Sequence, residues 1–127
     1  VGSEMCIRDR RAITRMRMRQ CDYLIFAPMV LGYRHGDGRR FFEGRIPLHD
    51  GICEPAKAIA QEGLAWLDPL LAGQGYICGD RLTYVDIIFF VTVGFFAKFG
   101  QPLEPSLKNI AQLMARLEAH DVIGKTA

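Results

Sequence analysis

Gly75-Tyr76-Ile77-Cys78-Gly79-Asp80-Arg81-Leu82-Thr83-Tyr84-Val85-Asp86-Ile87-Ile88 reads as a turn followed by a helix whose start is written into the sequence. Thr83 is the N-cap, and Asp86 follows three positions later. The threonine hydroxyl can accept from the Asp86 amide while the carboxylate reaches back to the Thr83 amide. That is a reciprocal capping box with Asp in place of the commoner Glu. Leu82 before the cap and Ile87 at the fourth helical position make the matching hydrophobic staple. The helix then continues as IIFFVTVGFFA over residues 87–97, apolar on every side. Eleven residues are too few to cross a bilayer, so the expectation is a helix at the centre of a core. In that setting Asp86 is a structural cap and not a catalytic acid.

Three further helical segments surround it. Residues 52–72 carry Ile52, Ile59, Leu64, Trp66, Leu67, Leu70 and Leu71 as apolar positions. Ala56, Ala60 and Gly63 form a small-residue stripe that permits close approach of another helix, which explains a glycine costing about 1 kcal/mol of helix propensity. Pro69 weakens the last turn, and Gly73 and Gly75 end it. Pro105 to His120 places Leu107, Ile110, Met114 and Leu117 on one face, with Pro105 at the first helical position. Ala12 to Tyr33 is the longest segment. Met16, Tyr23, Leu24, Ala27, Val30 and Leu31 fall on one arc, and Met18, Cys21, Ile25 and Met29 on another. Two apolar faces imply two partners, the domain's own core and something else. Pro28 removes the hydrogen bond to the Leu24 carbonyl and should kink this helix. No segment alternates as a strand would, so the fold class is all-α, a helical bundle with a buried central helix.

The other features narrow the possible functions. A chain of 127 residues makes one domain, and half of its residues are hydrophobic, enough for a core. The net charge of +2 is lower than a general nucleic-acid binder usually carries. Residues 1–20 hold Arg8, Arg10, Arg11, Arg15, Arg17 and Arg19 against Glu4 and Asp9. No aromatics interleave with them, so this stretch reads as a solvated helix start. Its first ten residues, VGSEMCIRDR, look like a translated sequencing adaptor. Residues 1–11 are therefore expected to be a non-native segment, 12–123 the domain, and 124–127 a frayed tail. Residues 34–51 form a long loop whose Arg34, Arg39, Arg40 and Arg45 are more readily a solvated run than an anion site. His35 and His49 read as surface residues. Cys6, Cys21, Cys53 and Cys78 lack metal-ligand spacing, so no metal is expected, and the thiols read as reduced, in the cytoplasm. Cys21 reads as a small buried hydrophobe.

The opening stretch resembles the signature of the C-terminal domain of glutathione transferases, through Tyr76-Ile77, Gly79-Asp80 and Leu82-Thr83-x-x-Asp86-Ile87. Leu64-Ala65-Trp66-Leu67-Asp68-x-x-Leu71 and Pro105-x-Leu107-Lys108-Asn109-Ile110 are similar as well. So are Met16, Arg19, Asp22, Pro28-Met29 and Gly32-Tyr33-Arg34-His35-Gly36, and the resemblance extends over about residues 12–122. It implies a parent enzyme that conjugates or reduces small electrophiles, with glutathione as co-substrate. The family's thioredoxin-like domain, which supplies the thiol-activating Ser, Tyr or Cys, has no counterpart in these residues. The chain is thus expected to be the electrophile-side fragment, with no catalytic residue of its own and no activity alone. The resemblance places Arg19, Tyr23 and Phe26 at the substrate pocket or glutathione. It also implies a homodimer in the full-length form; the charge balance and the short apolar run point to no nucleic acid or membrane as partner. The alternative is a non-catalytic interaction module built on the same helical domain.

Overall fold

A computed structural model of the chain describes residues 4–124. The first three residues of the adaptor-like segment and the last three of the tail lie outside the described residues. The helices are α1 (Glu4–Cys21), α2 (Ala27–Arg34), α3 (Cys53–Leu70), α4 (Tyr84–Ala97) and α5 (Lys108–Glu118). A π-helical turn, Asp22–Phe26, joins α1 to α2 in one long rod. Among the described residues there is no β-strand, only an isolated bridge between Tyr76 and Gly79. The architecture is all-α.

The rod departs from expectation at two places. It starts at Glu4 and not near Ala12, because a helix needs no core to form locally. Its first turns carry a Glu4–Arg8 ion pair at 3.9 Å and a bond from the Thr14 hydroxyl to the Arg10 carbonyl at 2.8 Å, and residues 4–13 are exposed throughout. The second departure concerns Pro28. Lacking an N–H, it leaves the Leu24 carbonyl without a donor four residues on. The chain answers with a π turn, in which the Ala27 amide donates to the Asp22 carbonyl five residues back. The freed Leu24 carbonyl lies against Gly63 of α3. The small-residue stripe explains the approach: Ala56, Ala60 and Gly63 are all buried.

Four helices meet in one core. Cys21, Ile25 and Met29 come from the rod, Leu64 and Leu67 from α3, Phe89 and Val93 from α4, and Ile110 and Leu117 from α5. The second arc of the rod thus faces the core, while Met16, Tyr23, Leu24 and Leu31 of the first arc stay exposed. Ile59 also faces out, away from the core it was expected to fill. In α5 Leu113 is buried and Met114 only partly so, and the helix begins at Lys108, leaving Pro105 in the turn before it. Its start is set from α3. Asp68 Oδ1 accepts from the Ile110 amide at 2.9 Å, and the Asn109 side-chain amide donates to the Asp68 carbonyl at 2.9 Å. These bonds satisfy donors that the first turn would otherwise leave open.

The capping box of α4 forms. Asp86 is fully buried. Its Oδ2 accepts from the Thr83 amide at 2.9 Å, and its Oδ1 accepts from the Ile77 amide at 2.9 Å. Burial pushes the Asp86 carboxyl above the usual carboxylate range, and those two amides pull it back. Leu82 is partly buried against the core, whereas Ile87 is exposed. The inner face of α4 is core; its outer face, with Tyr84, Ile87, Ile88, Val91 and Phe95, is open.

Cys21 is fully buried, and desolvation pushes its thiol from 9.0 up to about 12. In an unfolded chain a thiol ionises near pH ~8.5. The fold therefore holds the Cys21 proton more tightly. That contribution to stability is intact below the unfolded value and is lost as pH rises from there towards about 12. Cys78 is raised by burial as well and adds in the same direction. The urea midpoint should fall between pH 8 and 10, with a limiting slope of ~1.4 kcal/mol per pH unit for each thiol, and Cys21→Ala should flatten that fall. An equal slope in both proteins would contradict the assignment.

Candidate functional site

The outward arc of the rod meets α3 in an open groove of about 520 Å³, lined by Tyr23, Phe26, Leu31 and Arg34 from the rod and by Ala56 and Ile59 from α3. The π turn sits at one end of it, and Asp22 and Arg34 bracket its apolar middle with opposite charges. π turns of this kind are frequent at functional sites. Tyr23 is 70% exposed, and the Arg19 guanidinium stands 5.6 Å from its ring centroid. That distance is within cation–π range. Phe26 is only 5% exposed. Its ring packs 6.2 Å from that of Phe89, so it belongs to the core and shows one edge to the groove. Of the three residues that the family resemblance singled out, Tyr23 and Phe26 line this groove. Arg19 reaches it only through Tyr23.

Sequence reasoning missed Ile59 and Arg34. Ile59 fits the helical period of α3 as well as any core position, so no local signal separates it. Arg34 was grouped with the loop arginines, and those do not gather into an anion site. Arg39 pairs with Asp50, and with Glu43 at 3.5 Å. The Arg34 guanidinium lies over Phe42 at 5.6 Å, and that of Arg40 over Phe41 at 4.7 Å. His35 corrects the surface reading. It is buried, and its Nδ1 accepts from the His49 amide at 3.0 Å, which ties the start of the long loop to its end. His49 is exposed, as expected.

The groove offers binding and no obvious nucleophile. The Cys21 and Cys78 thiols are both raised by burial, the opposite of what an activated thiolate requires. Among the described residues no cluster of His, Cys, Asp and Glu is placed to hold a metal ion. None of the described helices is long and apolar enough to cross a membrane.

Residues 34–120 match the family profile described as "Glutathione S-transferase, C-terminal domain". No curated protein matches the sequence. Two solved structures share the fold. Gtt2 from Saccharomyces cerevisiae superposes with a TM-score of 0.81 at 14% identity, over 91% of this chain and 56% of that one. A glutathione S-transferase domain-containing protein from Marinobacter aquaeolei VT8 gives 0.80 at 22% identity, again over 91% and 56%. The chain thus spans little more than half the length of either structure.

Proposed function

The chain belongs to the glutathione S-transferase C-terminal domain family, and from that premise we propose that it is the electrophile-side domain of an enzyme that conjugates or reduces small electrophiles with glutathione. Residues 12–123 are the domain in this reading, and residues 1–11 are foreign to it. The group that activates the glutathione thiol belongs to another domain of the parent enzyme, which works as a cytoplasmic homodimer. The groove beside the π turn carries the proposal. It is an apolar wall on the one face of the rod that the core does not use. Tyr23, Leu31 and Ile59 would hold an apolar electrophile there, Phe26 would set the floor, and Arg19 would steady the Tyr23 ring. Holding the electrophile in place beside a thiolate is the contribution such a wall makes to the rate.

Two measurements on the purified chain test this. It should not accelerate the reaction of glutathione with chlorodinitrobenzene above the uncatalysed rate, and measurable turnover would overturn the division of labour. Titration with the electrophile alone should shift the amide resonances of Tyr23, Leu31 and Ile59 in a two-dimensional NMR spectrum. Shifts confined to other elements would remove the groove from the proposal. The open outer face of α4 favours a second reading, a non-catalytic interaction module. A chain that stays monomeric at high concentration in light scattering would weigh against that reading.

A further inference from the structure

A second cavity, of about 420 Å³, lies away from the groove, where α1 passes the turn that leads into α4. Arg10, Arg11 and Arg15 line it from α1, and Arg81, Leu82 and Tyr84 from the turn and the start of α4. Asp80 is the single carboxylate in the lining, and none of the four guanidiniums forms an ion pair among the described residues. Four like charges around one concavity repel one another. An anion that enters relieves that repulsion, and low-dielectric walls concentrate the field inside.

We propose that this cavity binds a small organic anion carrying two or more phosphate or carboxylate charges, held between Arg15 of α1 and Arg81 of the turn. These two residues lie outside the adaptor-like segment and come from separate elements, so they clamp the ligand from both sides. Arg10 and Arg11 fall inside that segment and act as outlying attraction. Leu82 and Tyr84 give the carbon skeleton an apolar surface. The volume falls in the usual range for small-molecule sites. The site does not depend on the glutathione reading, because it shares no residue with the groove.

Isothermal titration of the 127-residue chain at low salt, with pyrophosphate and with citrate as probes, tests the assignment. The expected result is saturable one-to-one binding of at least one probe, weakening as sodium chloride is raised. The stronger of the two identifies phosphate or carboxylate as the recognised group. Arg15→Ala and Arg81→Ala should each weaken it about tenfold, with melting temperatures unchanged because both side chains are exposed. The double variant Arg10→Ala/Arg11→Ala should weaken it by a smaller factor. The proposal is overturned by absence of saturation, by wild-type binding in both single variants, or by loss confined to the double variant. Saturation by glutathione with neither probe binding would also overturn it, while leaving the groove reading untouched.

Discussion

Gly63→Ala will lower the stability of the chain by about 3 kcal/mol or more, beyond the usual cost of overpacking a core. The added methyl group would fall on the Leu24 carbonyl, 2.6 Å from its carbon and 2.9 Å from Ile25 Cγ1. Neither neighbour can swing aside. One is backbone, and the other is a fully buried side chain. Intrinsic propensity works in the opposite direction, since alanine is favoured over glycine in a helix by about 1 kcal/mol. The clash is the larger effect. A domain of this size has only ~5–15 kcal/mol to lose. Gly94 in α4 supplies the control. A methyl group there would meet only Met114 Cε at 3.9 Å, so Gly94→Ala should gain up to about 1 kcal/mol. Urea denaturation of the two variants should move in opposite directions. A Gly63→Ala protein as stable as the parent would mean that the rod and α3 do not approach as described.

The second large effect belongs to Asp86. Both carboxylate oxygens accept from backbone amides, one from Ile77 and one from Thr83. Asp86→Ala leaves both donors without an acceptor, each at a cost of ~1–3 kcal/mol, so the expected loss is about 3–4 kcal/mol. Asp86→Asn is intermediate, because an amide keeps one acceptor and turns an NH₂ group towards the other donor. Thr83→Ala should cost less, about 1 kcal/mol. The order Ala, then Asn, then parent in melting temperature checks the geometry. An Asn variant as stable as the parent would show that one of the two amide bonds is dispensable. Asp86 does not by itself make the fold acid-labile. Burial raises its pKa in the fold, so its contribution is intact below the unfolded value and declines as pH rises through the folded one.

What could be read from the sequence was what neighbouring residues decide. The cap at Thr83 and Asp86, the stripe at Ala56, Ala60 and Gly63, and the two faces of the rod all follow from spacings within a few turns. The features that escaped depend on residues far apart in sequence. The π turn needs a proline in one helix and a glycine in another. The start of α5 is fixed by Asp68 at the end of α3, and His35 is buried because the loop returns to it at His49. Apolar content alone does not say which side of α4 is covered, and Val91 is 51% exposed although its helix is among the most apolar stretches of the chain. The groove was legible only in part. The resemblance pointed to Tyr23 and Phe26, while their difference in exposure, and the roles of Ile59 and Arg34, come from packing.

The rod is a single helix in outline but not in energy. Its first ten described residues touch no core, its π turn interrupts the regular ladder of amide bonds, and only from Cys21 onward does it carry fully buried side chains. Amide protons in such a helix are released by different events: fraying at one end, local opening near the turn, and unfolding of the whole domain at the other end. Deuterium uptake along α1 and α2 should therefore form a gradient, and the position where protection reaches its plateau marks the first residue that belongs to the cooperative unit.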